Sequence, residues 1–176
     1  MLVPVVWSPE PVVLLTLRPD DIRHGGEVCF PGGRPEPSDE DLWATAAREA
    51  REELGLEDPR PLGRLSSFPL YTSDYRLEPF VAACPDQELR PHPGEVAEVL
   101  RVDLADALAR TAQDAIAYEH EGQERLSPVF ELAGHLCFGA TAHALYELIE
   151  VAATAVGAAP PALRTGRFTW ADCLGR

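Results

Sequence analysis

Glu49, Glu52 and Glu53 stand at relative positions i, i+3 and i+4. On a helix that spacing puts all three carboxylates on one face, with roughly 5 to 6 Å between neighbouring Cβ atoms. Like charges held that close repel unless something cationic sits among them. Arg48 can pair with Glu52 one turn on, but one guanidinium cannot neutralise three carboxylates. A hard divalent cation can: Mg²⁺ takes oxygen ligands in octahedral array, keeps several waters, and is commonly shared between a few carboxylates and the phosphate oxygens of a substrate. A solvated acidic face is the plainer reading of a Glu-rich helix, so the surrounding residues must decide.

The helix that has to carry these residues is legible. Leu42, Ala46, Ala50 and Leu54 recur at helical spacing, Ser38 with Asp41 three residues on is the expected N-cap, and Gly55 the expected stop. Asp39 and Glu40 suit the positive end of the helix dipole. From Glu36 to Asp58 nine acids face two arginines, a local charge of -7. That is half the excess of the whole chain, whose formal net charge is -14.

All 15 basic residues are arginine. The absence of lysine excludes a Schiff-base enzyme, a P-loop nucleotidase and a lysine nucleophile. The acidity argues against nucleic acid or an anionic membrane as partner, because both reward positive potential. At 176 residues, 45% hydrophobic and 25% charged, the composition is that of a soluble globular chain with one main core. The longest apolar runs fall far short of the roughly 18 residues of a membrane span, and no signal peptide is expected. Cys29, Cys84, Cys137 and Cys173 lie far apart without a Cys-x-x-Cys pair, as suits reduced thiols in a cytoplasmic protein.

Strands and helices alternate. Val12–Leu17 reads as a buried strand and Val28–Phe30 as a short one stopped by Pro31-Gly32-Gly33. Further strands are expected near Leu62–Ser66, Arg76–Ala83, Val99–Val102 and Leu126–Phe130, with a second long helix from Thr141 to Val156. We divide the chain into residues 1–157, a single domain, and 158–176, an extension that is either packed on it or loose.

Arg48-Glu49-Ala50-Arg51-Glu52-Glu53-Leu54-Gly55-Leu56 resembles the second half of the Nudix box, and Glu40 lies eight positions before Arg48 as that box requires. Six residues separate Gly33 from Glu40, one more than in the general box, as in the coenzyme A-cleaving branch of the family. Leu14-Leu15-Thr16-Leu17-Arg18 and Gly26-Glu27-Val28-Cys29-Phe30-Pro31-Gly32-Gly33 are similar to the signature of that branch, with Pro19 in place of a small residue. Glu95–Val99 and Phe138–Ala142 also look similar, so the resemblance runs from about residue 3 to residue 150.

The resemblance implies an α/β (α+β) Nudix fold, a mixed β-sheet sandwiched between helices, and hydrolysis of a nucleoside diphosphate linkage using Mg²⁺ or Mn²⁺. Carried over by position, Glu49, Glu52, Glu53 and the carbonyl of Gly32 match the metal ligands. Arg48 matches the residue orienting the carboxylates, and Glu40 a supporting acid. Glu49 is the first choice of general base, with Glu119, Glu121 and Glu124 as late-loop alternatives; Glu95 or Glu98 is a further acid that can reach the metal. Arg18, Arg23 and His24, with Gly33, are the expected substrate contacts, the first three toward the 3'-phosphate of coenzyme A. Trp7, Phe68, Tyr71 and Tyr75 are possible adenine platforms, although aromatics in a chain this size are more often core. His92, His120, His135 and His143 show no metal spacing. The implied products are adenosine 3',5'-bisphosphate and 4'-phosphopantetheine. ADP-ribose, a dinucleotide or a nucleoside triphosphate is the alternative substrate, a non-catalytic nucleotide sensor the alternative class, and a homodimer follows only by analogy.

Overall fold

The computed structural model describes residues 1–7, 9–69 and 76–175. In chain order the elements begin with β1 (Leu2–Trp7), β2 (Pro11–Leu17), β3 (Val28–Cys29) and α1 (Leu42–Leu54). There follow β4 (Arg60–Arg64), β5 (Phe68–Pro69), β6 (Arg76–Leu77), β7 (Phe80–Cys84), β8 (Glu98–Asp103) and α2 (Leu104–Ala109). The last are β9 (Ala112–His120), β10 (Gln123–Pro128), β11 (Phe130–Leu132), β12 (His135–Cys137), α3 (Gly139–Ala155), β13 (Ala162–Thr165) and α4 (Trp170–Leu174).

The main sheet has six strands in the order β3-β2-β1-β7-β4, with β8 also paired to β2. It is mixed: β1 runs parallel to β7, while the other pairs are antiparallel. One edge of β2 is taken along its length by β8, from Val12 opposite Asp103 to Leu17 opposite Glu98. Its other edge is shared, β1 pairing at Val12 and Val13 and β3 at Thr16 and Leu17.

Side-chain alternation then sorts the core. Leu2, Val6 and Leu14 point to one face, where they pack with Ala46, Ala50 and Leu54 of α1 and with Phe80 and Ala82. Val3, Val5, Val13 and Leu15 point to the other, where they meet Leu145, Leu148 and Ile149 of α3 and Leu104 and Ala107 of α2. Because both faces are covered, the central strands read as unbroken apolar runs. The sheet is therefore sandwiched between α1 on one side and α2 with α3 on the other.

Several local expectations change. The N-cap of α1 is Asp41, not Ser38: its Oδ1 accepts the amide of Ala44 at 2.8 Å. Asp39 is spent elsewhere, closing a turn by accepting the amide of Glu36 at 2.8 Å. Gly55 does stop the helix, in left-handed conformation at φ 68°. The expected Arg76–Ala83 strand is two strands, β6 and β7, flanking Glu78-Pro79, since proline has no amide to give a ladder. The expected Leu126–Phe130 strand is likewise divided between β10 and β11, around Val129. The nine-residue β9, with polar ends and few large apolar residues, was not among the strands expected, and neither was β13. Ala162–Thr165 pairs in parallel with Ala112–Ala115 of β9. Among the described residues no helix is long and apolar enough to cross a membrane.

Candidate active site

The carboxyl end of α1 and the Pro31-Gly32-Gly33 turn meet through a carboxylate. Glu53 lies on the last turn of α1 and is only 4% exposed, and its Oε1 accepts the amide hydrogen of Gly32 at 2.9 Å. Burial pushes its carboxyl up to about 7, against the pull of the Gly32 amide and of Arg18, while Glu49 and Glu95 push in the same direction as burial. Glu49 sits one turn earlier, 14% exposed, and burial raises its carboxyl too, with Arg48 opposing. The two glycines let other groups approach the turn closely. A Cβ at Gly33 would collide with the Glu49 carboxylate, and one at Gly32 would stand 2.6 Å from the Cα of Met1.

Arg48 organises the outer side of the cluster. Its Nε and Nη2 donate to the two oxygens of Asp39 at 3.0 and 3.1 Å, a two-point guanidinium–carboxylate pair. Its Nη1 lies 3.0 Å from Glu52 Oε2, and its Nη2 lies 3.0 Å from Glu49 Oε1 and 3.0 Å from the Arg34 carbonyl. The Arg48 hydrogen bond is the main reason the Asp39 carboxyl falls to about 2. Asp39 also accepts from the hydroxyl of Thr45 at 2.9 Å. The acid that supports Arg48 from before the helix is thus Asp39. Glu40, expected there by position, is exposed, and no hydrogen bond or ion pair engages it among the described residues. Glu52 is the outermost of the three glutamates, with a side chain 54% exposed.

A fourth carboxylate arrives from a loop. The last carbonyls of α1 have no partner within the helix, and the loop before β8 supplies two: the Arg90 amide donates to Leu54 at 2.8 Å and the His92 amide to Glu53 at 2.8 Å. Gln87 adds a bond to the Gly55 carbonyl at 2.7 Å. That docking brings Glu95 close enough for its charge to raise both Glu49 and Glu53. Glu98 lies at the start of β8, 4.0 Å from the imidazole of His135.

The loop between β2 and β3 lies along the same rim. Arg18 donates from Nε to the Arg23 carbonyl at 3.2 Å, and its charge bears on both Glu53 and Cys29. Arg23 is exposed. His24, in left-handed conformation at φ 59°, pairs with Glu27 at 3.0 Å. Of this trio, then, Arg18 and His24 both bond within their own loop, and Arg18 alone is near enough for its charge to bear on Glu53. Cys29 meets the Thr16 hydroxyl at 3.1 Å, and all four cysteines are free thiols.

Glu119 and Glu124 face one another across the β9–β10 pair, and Glu121 forms the left-handed turn between those strands. No hydrogen bond or ion pair joins them to α1 among the described residues. Trp7 is half exposed. Phe68 lies 6.0 Å from the His143 ring, Tyr71 and Tyr75 lie outside the described residues, and His92 lies 3.9 Å from Glu95.

The donor set fits a hard divalent cation in chemistry. At Glu49 and Glu53 burial and the repulsion of neighbouring carboxylates, Glu95 among them, both disfavour negative charge, which is where an added cation relieves most. Among the described residues no three such groups already close on one point, because Arg48 engages Glu49 and Glu52 and the Gly32 amide engages Glu53.

The NUDIX domain family matches residues 2–120. A protein of Photorhabdus laumondii named uncharacterized Nudix hydrolase NudL is 34% identical over 155 residues, which cover 85% of this chain and 82% of that protein. A protein of the same name from Yersinia pestis is 36% identical over 127 residues, 69% of this chain and 63% of its own length. The crystal structure of a NUDIX hydrolase from Nitrosomonas europaea superposes with a TM-score of 0.58 at 20% identity, covering 96% of this chain and 77% of that one, a likeness of fold. The glutamate helix, the Gly-Gly turn and the mixed sheet between helices belong together for a reason: the chain is a member of the Nudix hydrolase family.

Proposed function

We propose that this Nudix hydrolase cleaves the diphosphate bond of coenzyme A or its derivatives, giving adenosine 3',5'-bisphosphate and a 4'-phosphopantetheine compound. The observation that carries the reading is the junction of the buried Glu53, the Gly32 amide and Glu49. Its carboxylates are under electrostatic strain beside a backbone turn whose glycines carry no side chain of their own. Glu49, Glu52, Glu53 and the Gly32 carbonyl are the groups we assign to hold Mg²⁺ or Mn²⁺, with Glu95 the additional acid within electrostatic reach. Such an ion, when bound, offsets charge building on phosphate oxygens and acidifies a bound water.

The chain's own residues do the rest. Water adds to one phosphorus, the bond from that phosphorus to the bridging oxygen breaks, and the departing phosphate leaves with that oxygen. Glu49 accepts the proton of the attacking water. Arg48, anchored by Asp39, keeps Glu49 and Glu52 oriented. Arg18 and Arg23 supply guanidinium contacts to the 3'-phosphate, with His24 beside them. We assign residues 1–157 to the catalytic domain and residues 158–176 to an extension whose strand adds to β9.

Side-by-side product analysis with coenzyme A, 3'-dephospho-coenzyme A and ADP-ribose, first with Mg²⁺ and then with Mn²⁺, tests this. Faster turnover of coenzyme A supports it. Equal turnover of the first two overturns the 3'-phosphate assignment, and preference for ADP-ribose moves the substrate to that class.

A further inference from the structure

Arg110, Arg164 and Arg167 come from separate positions along the chain, one after α2, one in β13 and one just beyond it, and they line a single groove of about 530 Å³. The volume falls within the range of small-ligand sites, roughly 300 to 1,000 Å³. Gln113, Asp114 and Glu131 complete the polar wall. Three guanidiniums against two carboxylates leave a positive surplus, in a chain whose net charge is -14 and which has no lysine.

The groove is built, not a chance gathering of surface charge. Arg167 is tied to Glu131 at 2.9 Å and to Asp114 at 3.6 Å, and its guanidinium lies 4.9 Å from the centre of the Phe168 ring. Gln113 is 5% exposed; its amide donates to the Val129 carbonyl, and its Oε1 accepts from Arg110 at 3.4 Å. Gly166 lets the end of β13 close on β9, since a Cβ there would collide with the Asp114 carboxylate. Arg164 lies opposite Asp114 in the strand register, is exposed, and has no hydrogen bond or ion pair among the described residues. Among the described residues the guanidiniums of Arg110, bonded only to the neutral Gln113, and Arg164 are therefore outside any ion pair, and both line the same groove.

We propose that this groove binds a small phosphate-bearing anion at a site separate from the glutamate cluster, with which it shares no residue. Guanidinium forks match phosphate oxygens in pairs. Among the described residues no aromatic ring lines the groove, so none of them stacks a nucleobase there, and recognition falls on the phosphate.

Titration calorimetry of the whole chain with sodium pyrophosphate, and in parallel with inorganic phosphate, tests the site in EDTA at fixed ionic strength, which keeps divalent cations from the glutamates. We expect one saturable site, weakened about tenfold or more in an Arg110→Gln/Arg164→Gln double variant, partly restored by Arg164→Lys, and unchanged in Glu53→Gln. Both arginines are exposed, and an unchanged thermal unfolding curve shows that the double variant folds. Absence of saturable binding to wild-type protein overturns the proposal, as does equal binding by the double variant. Binding lost in Glu53→Gln but kept in the double variant overturns it as well.

Discussion

The amide of Gly32 donates to the carboxylate of Glu53 across 21 residues of chain, at 2.9 Å. This one bond ties the end of the β3 turn to the last turn of α1. It also supplies one of the few stabilising contacts for a buried acid whose carboxyl is raised to about 7.

Glu53→Gln is therefore expected to fold normally, since Gln suits a helix and its carbonyl oxygen still accepts the Gly32 amide. Turnover should fall at least about a hundredfold, the upper end of what even an outer partner of a metal site costs when lost. Near-normal kcat with Mg²⁺ would count against the assigned site.

The two glycines should fail in different ways. Gly33→Ala drives a methyl into the Glu49 carboxylate, a flexible group that can swing aside, so stability should change little. Activity and Mn²⁺ affinity should drop by roughly 10- to 100-fold. Gly32→Ala meets backbone at Met1 instead, and about 1 to 3 kcal/mol of stability should be lost to overpacking. Urea unfolding together with kinetics separates the two.

Asp39 and Glu40 are adjacent acids with opposite expected sensitivities. Asp39→Asn loses the charge that anchors Arg48, so both activity and melting temperature should fall, whereas Glu40→Gln should leave both within experimental error. The Asp39 carboxyl is depressed from 3.8 to about 2 in the fold. Its stabilisation is thus fully present above pH 3.8 and lost as pH falls through 2. The gap in stability between wild type and Asp39→Asn should be constant above that window and close within it. A gap undiminished as pH falls through 2 would refute the anchoring role.

His143 should mark stability at mildly acidic pH. Burial lowers its imidazole below the ordinary 6.5, and the neutral ring meets the Ser127 hydroxyl at 3.2 Å and tilts against Phe68. A base depressed in the fold binds its proton more readily when unfolded. Its contribution is therefore complete above pH 6.5 and declines as pH drops below it. Melting temperatures of wild type and His143→Gln measured from pH 7.5 down to 5.5 should converge toward the acid end. Parallel curves would show that the ring does not change charge there.

The thiols give a simple accessibility test. Cys137 is fully enclosed, its thiol pushed above the usual range by burial, and Cys84 is raised to about 11 for the same reason. Since the thiolate is the reactive form, a disulfide reagent at pH 8 should label these two much more slowly in native protein than in urea. Equal rates would mean that these segments open readily.

Much was legible in the linear chain because it is local. The period of Ala46, Ala50 and Leu54 fixes which side of α1 is buried, and that in turn fixes where Glu49, Glu52 and Glu53 can point; Leu42, expected on the same stripe, is 44% exposed at the open first turn of the helix. α3 was readable for the same reason, and so was the stop at Gly55. Spacing within one helix is set by backbone geometry alone. It needs no knowledge of the rest of the fold.

What only the tertiary structure decided depends on partners distant in sequence. Nothing in a run of Ser38, Asp39, Glu40 and Asp41 says which acid caps the helix and which turns back to Arg48. That choice follows from the turn at Glu36 and the position of the guanidinium. Glu95 comes near the glutamates only because its loop docks on the open carbonyls of α1. Arg110, Arg164 and Arg167 share a groove only because β13 pairs with β9, a contact made by a segment with no periodicity to announce it. Charge and hydrogen bonding act through space, so the sequence alone could place the carboxylates on one helix face, while the fold determined which of them are buried, which are paired, and what else stands beside them.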